Sequence, residues 1–435
     1  MSGPKNKSRL LSECLVLCCV FFFPRISLAQ ESITDILRRQ MADVQEQLKK
    51  ALDRIDQLEK EKSATSGKID QLQSATSARL GDVEKSVQAV QSAPTALNPA
   101  MGLVIDATVE HRNKVGGNFN FRAAEMGIAA SVDPFARAYS FITGSNSGID
   151  VEEAAAITTS LPWNLTAKGG RFFADFGRYA KVHDHELPFV NRPLSMDRVF
   201  GGESQADGAE LSYLFPTPFF LRGTVGGYNK IGADNTRVDN TVPRAWSRFT
   251  FLSRLSTYFD LTDDHSVEVG SSLAYTPSNR VHGMTPLGMQ VASDGYRALS
   301  GIDVTYRYQP LESAIYQGFT WGSEFFGNSE CVERPSGFCD RRLALGGYSY
   351  GELKLNKSWS TGFLFDYSPS IMSPGKKTIG YSPFLTWNIS EFNRLRFQFT
   401  HADDHVREDK ADGGNQFFLQ WTTVIGAHTH GFLGR

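Results

Sequence analysis

Past residue 30 the chain has no apolar run approaching the ~20 residues that a helix needs to cross a bilayer. Hydrophobic residues make up only 41% of its 435 positions. A helical membrane protein is thereby excluded. A membrane β-barrel is not, because its strands alternate apolar and polar residues and average to a soluble-looking composition. No charge of one sign prevails either: 45 Lys and Arg stand against 47 Asp and Glu. Without a basic field, nucleic acid is not an indicated partner. Cysteine is scarce, with five in all, and Cys14, Cys18 and Cys19 fall in the N-terminal segment. The other two, Cys331 and Cys339, bracket the turn-rich "VERPSGF". In an exported chain they read as a disulfide closing one loop. A metal site is the poorer reading for them, since no His or further Cys lies near in sequence.

What is present begins with a leader. Lys5, Lys7 and Arg9 precede an apolar stretch from Leu10 to Phe23, and "SLA" ending at Ala29 has small residues where a signal peptidase cuts. Residues 1–29 therefore read as a secretory signal peptide. Residues 30–92 are charged, Gln-rich and helix-favouring. Leu37, Met41, Val44, Leu48, Ala51, Ile55 and Leu58 step by four and three, the seam of an α-helical coiled coil. The seam is interrupted at Gly67 and shifts register before Leu80, a stutter. Residues 93–101 form a Pro-containing linker.

From residue 102 to 435 the period changes to two. In "LVIDATVEHR", Leu103, Ile105, Ala107 and Val109 share one face, and Asp106, Thr108, Glu110 and Arg112 the other. "SRFTFLSRLSTYF" and "NRLRFQFT" repeat the scheme with Phe251, Leu255, Phe397 and Phe399 opposite Arg254, Ser256, Arg396 and Gln398. About sixteen such segments follow one another, each near the ~9–11 residues of a transmembrane strand. Alternate connections are tight, as at "VDP", "PTP", "LTDD", "QPL" and "NK". Those between them are long: 173–208, 230–246, 277–298, 327–341, 368–376 and 402–414. Short turns on one side and long loops on the other predict an all-β transmembrane barrel of about 16 antiparallel strands in a bacterial outer membrane, with the coiled coil in the periplasm. Tyr258, Phe259, Tyr275, Tyr306, Tyr308, Tyr367 and Trp387 stand near segment ends, where interfacial aromatic girdles belong.

The stretch "KVHDHELPFVNRP", residues 181–193, breaks the alternation. It lies in the longest connection, after the fifth strand. In a barrel of this size the lumen is wide enough to carry water, and a loop folded into it would narrow the path. Pro188 and Pro193 stiffen the loop. Arg178, Lys181, Asp184, Arg192, Asp197, Arg198 and Glu203 are its candidate constriction residues, with Arg248, Arg254, Arg307, Arg394 and Arg396 on the lumen wall. His183 and His185, at i and i+2, with acidic neighbours, are candidate divalent-metal ligands.

The stretch "GGRFFADFGRYAKVHDHELPFVNRPLSMDRVFGGESQADGAELSYLFP", with its Gly-Arg-Phe entry and His-x-His-x-x-Pro-Phe-Val-x-Arg-Pro core, resembles a family of proteobacterial outer-membrane proteins. That family is related to the phosphate-selective porins and includes proteins described as zinc-regulated and receptor-like. The coil followed by "LNPAMGLVIDATVE" and the closing "IGAHTHGF" are similar to the same group. The resemblance implies a homotrimer of sixteen-stranded barrels in outer-membrane lipid, passing small hydrophilic solutes or anions. The residues temper it: a phosphate-selective pore needs a dense ladder of Arg and Lys, and the lumen face carries only a mild basic excess. The expectation is a porin of weak anion preference, narrowed by loop 173–208. The alternative is an outer-membrane protein that binds or admits a divalent metal such as zinc. An enzyme is not expected: "ADDHVRE" and "TDDHS" set acids beside His, but on opposite sides of the membrane and with no nucleophile.

Overall fold

In a computed structural model the described residues are 99–426, apart from 114, 233–244, 285–289, 311–312, 314–315, 334–338 and 406–412, together with scattered helical residues between 41 and 58. The leader, and most of the coiled-coil and linker stretches, lie outside the described residues. The chain divides into two units, Met1–Val90 and Gln91–Arg435. In the first, residues 52–58 are helical.

The second unit holds sixteen strands: β1 Ala100–Arg112, β2 Gly116–Asp133, β3 Ala136–Ser145, β4 Gly148–Thr158, β5 Leu165–Phe173, β6 Gln205–Leu214, β7 Phe220–Tyr228, β8 Thr250–Thr262, β9 His265–Met284, β10 Gln290–Tyr308, β11 Gly318–Glu333, β12 Cys339–Lys354, β13 Trp359–Pro369, β14 Lys377–Asn388, β15 Asn393–Asp404 and β16 Gly414–Gly426. Each pairs antiparallel with its sequence neighbours, and β1 pairs with β16 to close the barrel. β1 begins inside the stretch read as linker.

Closure satisfies every strand edge, which an apolar solvent demands. The period-two pattern decides which face meets that solvent. In β8, Leu255 is 49% exposed on the outside while Arg254 beside it is 4% exposed on the inside. Phe325, Phe397, Phe417 and Trp421 are likewise on the outer wall, an apolar belt too extensive for a surface facing water. Rings cluster at the strand ends, as where the cross-strand partners Trp359 and Trp387 stack with centroids 5.3 Å apart.

One end of the barrel has mostly short turns, at 134–135, 263–264, 355–358 and 389–392; there the "QPL" connection is longer than expected and covers 309–317. At the other end lie loops 174–204, 229–249, 370–376 and 405–413. Of two expected long loops, 277–298 and 327–341, the described residues 277–284, 290–298, 327–333 and 339–341 are instead extensions of paired strands. β9 and β10 run 20 and 19 residues, and β11 and β12 run 16 each. Both faces of such an extension leave the hydrocarbon layer, so the alternation that marks a strand in lipid fades while the ladder of backbone hydrogen bonds continues. Cys331 and Cys339 are bonded near the tip of the β11–β12 hairpin, with Cα atoms 5.4 Å apart.

The lumen also contains an apolar core. Tyr228, Leu252, Ala274, Leu299, Phe326 and Tyr348, from the inner faces of β7 to β12, pack with Phe176, Leu187, Phe189, Met196, Val199 and Phe200 of loop 174–204.

Candidate functional site

The loop leaves β5 at Phe173 and enters the barrel through a neck. Ala174 N–H donates to Ser204 O (2.9 Å) and Ser204 N–H to Ala180 O (2.7 Å), so entry and exit are tied together. The chain turns inward at Gly177, whose φ of 63° and close approach leave no room for a side chain: a Cβ would stand 2.5 Å from Glu324 Oε2. The Glu324 carboxylate of β11 accepts the N–H groups of Arg178 (2.9 Å) and Tyr179 (2.8 Å) and the hydroxyl of Tyr348. Beyond it the loop crosses the lumen. Arg394 donates to His185 O, Arg396 Nη1 to Phe189 O (3.1 Å) and Arg122 Nη1 to Val190 O (2.7 Å), while Gln398 Oε1 accepts Val190 N–H (2.8 Å). Asp366 of β13 then accepts Ser195 N–H (3.2 Å). After the short π-helical turn Met196–Phe200, Gly201 and Gly202, at φ 108° and 79°, reverse the chain toward β6. The loop's carbonyls and amides thus find partners on strands far apart around the wall, as a buried loop must.

The candidate constriction residues divide into two groups. Asp184, Arg192, Asp197 and Glu203 line a cavity of about 950 Å³ on the long-loop side. Arg178, Lys181 and Arg198 are instead taken up in ion pairs bracing the loop: Arg178 with Glu268 of β9 (2.8 Å), Lys181 with Asp175, and Arg198 with Asp404 of β15 (3.5 Å). Arg192, 9% exposed, is the internal tie of the loop. Its Nη2 lies 2.7 Å from Asp184 Oδ1 and 2.8 Å from Glu203 Oε1, and its nitrogens also donate to Tyr179 O and Val182 O, both at 2.8 Å. Burial alone would raise the Asp184 carboxyl, but the Arg192 and Arg122 guanidiniums lower it to about 2. Glu203 stays raised well above the usual carboxylate range, by burial and despite Arg192, with the Glu152 and Asp184 charges adding to it.

On the wall, Arg307, Arg394 and Arg396 line a smaller cavity of about 310 Å³ on the short-turn side, where Glu186 and Glu352 face them. Segment 185–190 of the loop lies between the two cavities, His185 on one and Glu186, Leu187 and Pro188 on the other. Arg254 is sealed against Asp303 (2.7 Å) and Asp175 (3.4 Å). Arg248 lies in the single 3-10 turn Trp246–Arg248, ahead of β8.

His183 is held at 1% exposure between the rings of Phe141 and Phe173. Its Nδ1 lies 3.1 Å from Glu125 Oε2 and 3.1 Å from Glu152 Oε1, and its Nε2 lies 3.0 Å from Glu153 Oε1. His185 is not in extended backbone with it, because the single 3-10 turn Asp184–Glu186 intervenes, yet its Nδ1 still reaches within 3.6 Å of Glu125 Oε2. Burial would lower the His183 pKa, but the surrounding carboxylates, Glu125 first, raise it well above the ordinary imidazole value.

Sequence reasoning missed these carboxylates because it looked for acids within the loop. Strict alternation puts only one of Glu152 and Glu153 inside. A bulge puts both there: Phe141 pairs with Glu153 and Ile142 with Val151, so Glu152 is the extra residue. A second bulge, where Asp106 pairs with Ala123 and Ala107 with Phe121, leaves Arg122 as the extra residue, and its guanidinium grips both Asp184 (2.9 Å) and Val190 O. "EE" in the fourth strand was the one available signal.

The acid-histidine pairs weighed for catalysis sit at opposite ends of the barrel. His265 Nδ1 meets Tyr306 Oη (2.6 Å) by a short turn, and His405 lies beside Asp403 (3.1 Å) at the long-loop end.

No protein-family model matches the sequence. A protein of Aquifex aeolicus (strain VF5), described as uncharacterized, is 31% identical over 329 residues, which is 72% of this chain and 69% of that one. Among solved structures, a loop L8 deletion mutant of OmpT, an outer membrane protein of Vibrio cholerae, superposes with a TM-score of 0.52 at 9% identity, over 75% of this chain and 99% of the other. The outer membrane channel DcaP of Acinetobacter baumannii does so with a TM-score of 0.50 at 8% identity, over 75% and 96%. At such identities the likeness is one of fold: a closed, porin-type barrel.

Proposed function

We propose that this chain, which belongs to the same family as the uncharacterized Aquifex aeolicus protein, is an outer-membrane porin for passive diffusion of small hydrophilic solutes, narrowed by loop 174–204 and weakly anion-preferring. The observation that carries the reading is the loop itself, laid across the lumen between two polar cavities of about 950 and 310 Å³. A solute crossing the barrel would pass segment 185–190, with Arg122, Arg394 and Arg396 as the cations beside it. Three Arg face two Glu in the smaller cavity, a slight positive bias, against eight carboxylates and three Arg in the larger one, so the anion preference rests on the narrow segment. Phosphate selectivity, which the relation to phosphate-selective porins would suggest, finds less support: Arg178, Lys181, Arg198 and Arg254 are neutralised by carboxylates and offer no ladder for a dianion. Assembly as a trimer in outer-membrane lipid, with the N-terminal helix in the periplasm, belongs to the same reading, and no enzymatic role is part of it.

Planar-bilayer recording of the refolded protein under a salt gradient tests it. Stepwise currents in threes, with a reversal potential slightly toward the anion side, are the expected outcome. A folded barrel that passes no current would overturn the reading.

A further inference from the structure

His183 adjoins Asp184, which Arg122 grips, and its own surroundings have a definite geometry. Zinc held by imidazole and carboxylate at ~2.0–2.1 Å in a tetrahedron sets its ligand atoms about 3.3 Å apart. Nδ1 of His183 stands 3.1 Å from both Glu125 Oε2 and Glu152 Oε1, and the three ligand atoms all lie within 4.8 Å of one another. On the far side of the ring, Nε2 meets Glu153 Oε1 at 3.0 Å. With a cation in place of the Nδ1 proton, Glu153 accepting the Nε2–H would be the outer-shell partner that metal-bound histidines commonly have. Two strands converge here: Glu125 comes from β2 and Glu153 from β4, where Glu152 is also turned inward by a bulge, a device common beside functional sites.

We propose that His183, Glu125 and Glu152 bind one divalent cation of the zinc class, with Glu153 as a positioning residue. The imidazole selects zinc-like ions over calcium and magnesium, which prefer all-oxygen shells. His185, its Nδ1 3.6 Å from Glu125 Oε2, is placed to supply the fourth ligand. Glu125, Glu152 and His185 line the larger cavity, so the ion has a route in from the long-loop side. Because His183 belongs to the loop and the two carboxylates to the wall, a bound ion pins the loop to β2 and β4. The site does not depend on the protein being a porin.

The test is zinc binding by the refolded, detergent-solubilised protein in competition with a chromophoric chelator, so that it is independent of conductance. One zinc per chain is expected, weakened 10–100-fold or more in Glu152→Gln and 10–100-fold in Glu153→Gln, with circular dichroism and heat-modifiable gel migration reporting that each variant is folded. Equal affinity in wild type and Glu152→Gln, or no stoichiometric binding, would overturn the proposal. Zinc-edge X-ray absorption of the unmutated protein decides the matter even if a variant does not fold. Imidazole scattering in the first coordination shell is required, and a shell of oxygen alone would end the idea.

Discussion

The outer wall of the barrel and the loop inside it obey opposite rules. On the wall, position along the strand decides everything: Leu255 faces out and Arg254 in, because successive side chains alternate and one face is in hydrocarbon. In the loop, side chains as different as Phe189 and Arg192 are both buried, and what distinguishes them is the partner each finds. Phe189 packs against Tyr348 and Tyr350, whereas Arg192 joins Asp184, Glu203 and two carbonyls. A wall residue is specified by its solvent and a loop residue by its neighbours.

The sharpest way to break the loop without touching the wall is Arg192→Ala. Removing one partner of a buried charge network leaves the others uncompensated, so a loss of about 3–5 kcal/mol is expected. Amide exchange should show it confined to residues 174–204, with β-sheet amides unchanged; a global loss of protection would mean that loop and wall are one cooperative unit. The converse experiment, Leu255→Arg, puts a charge on the lipid face near mid-strand, at a cost of about 2–4 kcal/mol. It should lower the midpoint of reversible unfolding in bilayers and leave conductance per open channel alone. Glu324→Gln weakens the anchor that receives the Arg178 and Tyr179 amides, an effect of about 1–3 kcal/mol. Faster proteolysis of the loop in a barrel that still migrates as folded is the expected sign. The smallest effect is that of Arg394→Ser with Arg396→Ser. Taking two cations from beside segment 185–190 should shift the anion-to-cation permeability ratio by a few-fold, under about 1 kcal/mol, toward cations. An unchanged ratio would place the selective contacts elsewhere.

Much of the wall was legible from period two alone. "TFLSRLSTYFDLT" names its inner and outer faces without any neighbour being known, and the strand count follows from repeating the exercise. Legibility failed where the strands leave the hydrocarbon, since 277–298 and 327–341 read as loops and their described residues proved to be strand. Within the site, the sequence pointed to 181–193 through the break in alternation, and to His183 and His185 through their spacing. It did not point to Glu125, which lies far away in sequence, or to which loop cations would be consumed in ion pairs.

By itself, then, the sequence determined the class of fold and the segment that departs from it, because alternation is a local property that each strand carries with it. Only the tertiary structure decided what that segment does. Closing the barrel brings β2, β4, β11 and β15 around one loop, and register shifts of a single residue in β2 and β4 turn Arg122 and Glu152 toward it. A bulge is a relation between two strands, set by how they pair, and no one strand's sequence contains it.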